Sequence, residues 1–216
     1  KYLELLEIPV VNGMIQVPSF RPDLNLMADI AEEVGRSYGY NEIPTTAFKN
    51  ATQGGYSPVM MAESKAGQLC RSLGFSEIIT YSFVSPTIFD NIRIPKDSAL
   101  RNAMRIQNPL GEDTSIMRTI ALPSMLEILT RNYNYRNKTA KLYEIGRIYL
   151  PGGDDGLAVE NKVLSIGAYG ADVDFFAMKG VIEAVLKSIR AEGVTFEAVK
   201  DNPSYHPGRC AAVSMN

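Results

Sequence analysis

Apolar residues recur at helical spacing in four stretches of this chain and alternate with polar ones in several others. Met27, Ile30, Ala31, Val34 and Tyr38 mark one face of a helix beginning near Asn25, with Gly39 as its stop. Ala62, Ala66, Leu69, Cys70 and Leu73 mark a second, opened by Ser57-Pro58 and closed by Gly74. Leu122, Met125, Leu126, Leu129 and Tyr133 give a third, and Met178, Val181, Ile182, Val185, Leu186 and Ile189 a fourth, capped by Asp174. Between them lie strand patterns. LELLEIPVV and MIQV flank Asn12-Gly13, which suits the positive φ of a tight hairpin turn. FSEIITYSFV follows the second helix directly. A short pair flanks the turn Asn108-Pro109-Leu110-Gly111, its second strand carrying Met117-Arg118-Thr119. Leu142 to Leu150 is apolar on both faces, which places it centrally in a sheet. KVLSIGAYG, VTFEAV and CAAVSM complete the set.

Helices and strands thus mix in an α+β order. The polar, glycine-containing run Thr45–Tyr56 reads as a boundary, leaving residues 1–46 and 57–216 as separate domains. Ser85–Ala103, with Pro86, Pro95 and a charged tip, reads as an exposed excursion, and Gly152–Gly156 as a turn whose acidic pair lacks the other ligands of a calcium loop. The strand-like ends, KYLELLEIPVV and AAVSMN, suggest a piece of a longer polypeptide.

Composition narrows the function classes. With 45% hydrophobic and 21% charged residues, the 216-residue chain has the make-up of a globular protein, and a formal charge of −2 argues against a surface given over to nucleic-acid phosphates. A local basic patch remains compatible. Cys70 and Cys210 form neither a disulfide framework nor a zinc pattern, pointing to a reduced cytoplasmic setting, and no apolar run approaches the ~18 residues of a membrane span. Cys70 lies on an apolar stripe and is expected to pack.

Candidate chemistry is sparse. Asp29, Glu32 and Glu33 share one helix stripe, with Asp23 just before it. Four convergent carboxylates suit a hard cation such as magnesium or calcium. Acidic residues at a helix start are equally stable without an ion, and Arg36 stands four residues after Glu32, where it can pair with it. His206, the one histidine, sits in a turn with no nucleophile pattern around it and is expected to be structural. Arg131, Arg136, Lys138 and Lys141 cluster around Asn132 and Tyr135, a set that could contact RNA phosphates but reads first as an ordinary solvated loop between helix and strand. No phosphate-binding loop, dinucleotide fingerprint, HExxH pair or aromatic-basic RNA-binding motif is present.

The ordered set NPLGEDTSIMRT, LPSMLEILTRN and KLYEIGRIY resembles the synthetase-like core of bacterial phenylalanyl-tRNA synthetase beta subunits. VPSFRPDL, the acidic helix and GYNEIP resemble the end of the small winged-helix-like domain before that core, and HPGRCA the approach to its last strands. The helix, glycine-aromatic turn and strand from Ser57 to Val84 resemble motif 1 of class II aminoacyl-tRNA synthetases, a builder of subunit interfaces. The resemblance implies an antiparallel sheet core of the class II type flanked by helices and preceded by part of the winged-helix-like domain. It also implies a magnesium ion held by Asp23, Asp29, Glu32 and Glu33 and shared with an alpha subunit.

The same resemblance implies a cytoplasmic assembly of two alpha and two beta chains, in which the alpha subunit binds ATP, activates phenylalanine and charges tRNA(Phe). Editing and anticodon-binding domains of the family fall outside this sequence. Adenylate formation calls for cations aimed at the triphosphate. At the motif 2 position LYEIGRIY keeps Glu144 but has Leu142 where the class II arginine stands, and no glycine-rich strand ending in arginine follows CAAVSM, where the sequence stops. The expected role is therefore a non-catalytic scaffold, with the helices Val59–Leu73 and Ala121–Tyr133 burying apolar surface against other subunits. Two alternatives stand beside it: an active class II adenylate-forming ligase, which the missing arginine opposes, and a nucleic-acid-binding winged-helix module, which the net charge opposes.

Overall fold

In the computed structural model of the chain, residues 1–49, 52–153 and 156–215 are described. The chain divides into two compact units, Lys1–Gly54 and Gly55–Asn216. Asp154 and Asp155 of the expected GGDDG turn lie outside the described residues.

In the first unit, α1 (Tyr2–Leu5) precedes a hairpin of β1 (Val10–Val11) and β2 (Met14–Ile15), and α2 (Met27–Tyr38) follows. Asn12 and Gly13 turn the hairpin at φ 51° and 77°, the left-handed region the dipeptide was expected to supply. The hairpin is shorter than expected. Residues 2–5 coil into a helical turn because Leu3 and Leu6 fold back onto Ile8, Leu24 and Ile30, the buried centre of the unit. Gly39 ends α2 at φ 106°.

The second unit is built on β6 (Ala140–Leu150). It lies between β3 (Ser76–Glu77), parallel to it, and β7 (Val159–Tyr169), antiparallel along all eleven residues. The central placement of this strand follows the sequence pattern, while the sheet is mixed and not purely antiparallel. Its parallel partner is reached by a connection of some sixty residues, long enough for a parallel crossover. α3 (Pro58–Ser72) and α6 (Phe175–Ser188) cover one face, where Ala66, Cys70, Phe75, Tyr143 and Val185 are buried together. Ser57 Oγ accepts the Met60 amide and Asp174 Oδ1 the Ala177 amide, so both helices start on the expected caps. Cys70 is fully buried, and burial raises its thiol pKa.

α5 (Leu122–Asn134) covers the other face, packing Met125, Ile128 and Leu129 over Ala140 and Leu142. Leu126 and Tyr133 of the expected stripe remain exposed, since the sheet is met by the 125/128/129 side of the helix. Two stretches depart from the sequence expectation. FSEIITYSFV pairs only at β3 and at β4 (Phe83–Val84), which joins β5 (Ile116–Met117); between them the chain runs extended without a ladder. The first strand before the Asn108 turn reduces to a single bridge, Arg105 to Ile116. Ser85–Ala103 is no exposed excursion. It contains α4 (Ile88–Asn91) and packs Phe89, Ile92 and Ile94 against Val84 and Ile116 in a second core, with Arg101 bonding Asp90 and the carbonyls of Ile94 and Pro95. The closing strands β8 (Val194–Ala198) and β9 (Ala211–Met215) form their own antiparallel pair.

Candidate functional site

Three places carry chemistry. The first is the acidic start of α2. Asp29 turns back to accept the amides of Asn25 and Leu26, at 2.8 and 2.7 Å, and so caps its own helix. Arg21 donates to Asp23 and, at 2.7 Å, to Glu33. Arg36 also pairs with Glu33, and not with Glu32 as the spacing suggested, because Glu33 faces inward, where Arg21 already waits. The guanidinium groups of Arg21 and Arg36 pull the Glu33 carboxyl down to about 2, and the carboxylates of Asp23 and Glu33 raise Arg21. Glu32 stands exposed. Among the described residues, no group of three or more Asp, Glu, His or Cys side chains converges to hold a metal ion. The carboxylates of Asp23 and Glu33 are neutralised by Arg21 and Arg36, that of Asp29 accepts backbone amides at the helix start, and Glu32 points to solvent apart from them, so as they stand the four do not fit the magnesium ion.

The second place lies under β6. Glu144 and Arg118 are both almost completely buried and face each other at 3.2 Å. Thr80 Oγ1 accepts Arg118 Nη1 at 2.7 Å and donates to Glu144 at 2.8 Å, and the Thr80 amide donates to Glu144 at 3.0 Å. Arg118 Nε reaches the Arg147 carbonyl at 2.7 Å, and the backbone of Arg118 joins β6 through the Tyr149 amide. A Cβ at Gly146 would overlap the Arg118 guanidinium, so only glycine lets the side chain cross the strand. Every donor and acceptor in this network is matched, leaving Glu144 no free oxygen to face a ligand. The sequence pattern pointed to Glu144 but not to Arg118 or Thr80; an arginine flanked by strand apolars was the available sign.

The third place is an edge. Along the unladdered stretch after β3 and into β4, Ile79, Tyr81 and Phe83 alternate outward, at 93%, 84% and 47% exposure, while Ile78, Thr80 and Ser82 turn inward. α3 adds exposed Val59, Met60 and Met61. His206 is exposed and accepts the Gly208 amide on Nδ1, as a turn-forming histidine would.

Comparison with known proteins decides the family. Residues 43–216 match the family model described as "Phenylalanyl tRNA synthetase beta chain CLM domain", and residues 2–40 match the "tRNA synthetase B5 domain". A phenylalanine–tRNA ligase beta subunit of Clostridium acetobutylicum is 42% identical over the whole of this chain, and one of Clostridium tetani 43%. The chain belongs to the phenylalanine–tRNA ligase beta-subunit family. It spans 28% of the length of either clostridial beta subunit. Its fold is similar to that of a Desulfitobacterium hafniense pyrrolysyl tRNA synthetase, at a TM-score of 0.50 and 11% identity over 80% of this chain and 60% of that one. Within the beta-subunit family, then, the fold is a mixed α+β one with a synthetase neighbour. Among the described residues no helix is long and apolar enough to cross a membrane.

Proposed function

We propose that this chain forms the non-catalytic scaffold of a phenylalanine–tRNA ligase beta subunit, pairing a winged-helix-like segment with a class II-type core. Activation of phenylalanine with ATP and its transfer to tRNA(Phe) then belong to the alpha subunit, in a cytoplasmic assembly of two alpha and two beta chains. The observation that carries this is the state of Glu144. A carboxylate at the motif 2 position that is buried and bonded to Arg118 and Thr80 cannot orient a nucleotide, and the residue two before it is Leu142. The exposed Ile79 and Tyr81 support the scaffold half: apolar side chains beside an unpaired edge form a surface that a partner chain covers.

A magnesium ion shared through Asp23, Asp29, Glu32 and Glu33 enters this proposal only with a rearrangement in which alpha-subunit binding draws Arg21 off Asp23 and Glu33. The test is co-purification with a co-expressed alpha subunit. Wild type is expected to bind it, Ile79→Asp/Tyr81→Asp to lose it, and ATP titrated calorimetrically into the chain alone to give no heat of binding. Binding of ATP by the isolated chain would favour the active-ligase alternative. Magnesium-sensitive association that Glu32→Ala/Glu33→Ala weakens would support the shared ion.

A further inference from the structure

The turn between α5 and β6 is the one strongly basic segment of an acidic chain. With the last turn of α5 and the first residues of β6, the stretch from Arg131 to Lys141 holds four cations and no Asp or Glu, Arg136 and Lys138 in the turn itself, in a sequence with 24 acidic and 22 basic residues overall. Arg131 pairs with Glu127; among the described residues Arg136, Lys138 and Lys141 make no ion pair. Asp172 lines the same cleft as Lys141. Tyr133 and Tyr135 stand 68% and 78% exposed, Tyr133 on the cleft with Arg136 and Lys138 and Tyr135 on the adjoining one with Arg131.

A merely solvated loop would have no need of a fixed shape, and this one is fixed. Asn137 donates through its amide to the Asn132 carbonyl and through Nδ2 to Asn132 Oδ1, at 3.2 and 2.8 Å, while Asn132 Nδ2 bonds the Ile128 carbonyl. Tyr169 of β7 donates its hydroxyl to the Asn137 carbonyl at 3.0 Å and meets the Tyr133 ring edge-on. Arg136 is held at φ 65°, a left-handed conformation that arginine seldom adopts. The result is a shallow cleft of about 430 Å³ lined by Tyr133, Asn134, Arg136, Asn137 and Lys138. Cations carried on a fixed backbone with their charged ends unpaired, amides that donate and accept, and a bare aromatic face form the combination that takes a sugar-phosphate chain with a splayed base.

We infer that the turn Arg131–Lys141 is an RNA-binding surface, with Arg136, Lys138 and Lys141 taking phosphates and Tyr135 stacking a base. The partner, the tRNA named with the relatives' activity, rests on the function proposed above; the patch itself does not. The test is fluorescence anisotropy of a labelled tRNA(Phe) transcript titrated with the chain, between about 50 and 200 mM salt. Arg136→Gln/Lys138→Gln/Lys141→Gln is expected to weaken binding by at least about tenfold and to lower the slope of log affinity against log salt by about 2–3, near one for each phosphate lost. Arg136→Lys is expected to bind like wild type. Tyr135→Ala is expected to weaken binding about tenfold and Tyr135→Phe to leave it unchanged, since phenylalanine keeps the stacking face. Far-ultraviolet circular dichroism checks that each variant is folded. Absence of binding by wild type, or affinity and salt slope unaltered in the triple variant, overturns the inference. Association with the alpha subunit is read separately, and these variants leave it intact, so failure of the patch and failure of the ligase scaffold are told apart.

Discussion

Glu33 and Glu144 are both buried carboxylates beside arginines, and the difference between their surroundings sets what each does. Glu33 meets Arg21 and Arg36 at the rim of the first unit, and its carboxyl sits near 2 against an ordinary 4.5. Because the folded value is the lower one, the unfolded chain takes up the proton first as pH falls. The stability Glu33 contributes is therefore complete above about 4.5 and drains away toward 2. Thermal melting of the first unit followed across that window should show a loss that Glu33→Gln flattens. Glu144 is committed to Arg118 inside the second unit. Arg118→Met strands it and is expected to cost about 3–5 kcal/mol, whereas Arg118→Met/Glu144→Leu should recover most of that in denaturant unfolding, because a buried ion pair is worth little more than matched apolar groups.

At the scale of elements, the sequence was most legible where a local signal decides the outcome. Asn12-Gly13, Ser57-Pro58, Gly39, Gly74 and Asp174 each sit where turn or cap chemistry put them, and the two-sided apolar pattern of β6 placed it centrally. It was least legible where distant packing decides. Residues 2–5 coil because of Ile8 and Ile30, Ser85–Ala103 closes around Phe89, and Ile78–Ser82 forgoes a ladder as Thr80 turns to Glu144. The acidic stripe was visible, but the guanidinium partners that occupy it were not, since Arg21 reaches Glu33 from twelve residues away. Close packing between elements also rests on absent side chains. A Cβ at Gly167 of β7 would come within 2.7 Å of Met125 Cγ and 2.8 Å of Leu129 Cδ1 on α5. Gly167→Ala should therefore lower the second unit's stability by about 1–3 kcal/mol, with the methyl resonances of Met125 and Leu129 shifting first.

For the whole molecule, the consequence of two units with separate cores is separate accounting. Ile8 is fully buried with Leu24 and Ile30, while Cys70, Tyr143 and Val185 centre the other unit. Ile8→Ala is expected to destabilise the first unit by about 2–5 kcal/mol, and hydrogen exchange should show protection lost from α2 and kept in β6 and β7. The cysteine in the second core carries a further consequence. Cys70 has no path to solvent while α3 lies on the sheet, whereas Cys210 is only half-buried. An alkylating reagent must wait for that helix to lift before it meets the Cys70 thiol, so the chain contains its own clock for how often the sheet is uncovered, with Cys210 keeping reference time.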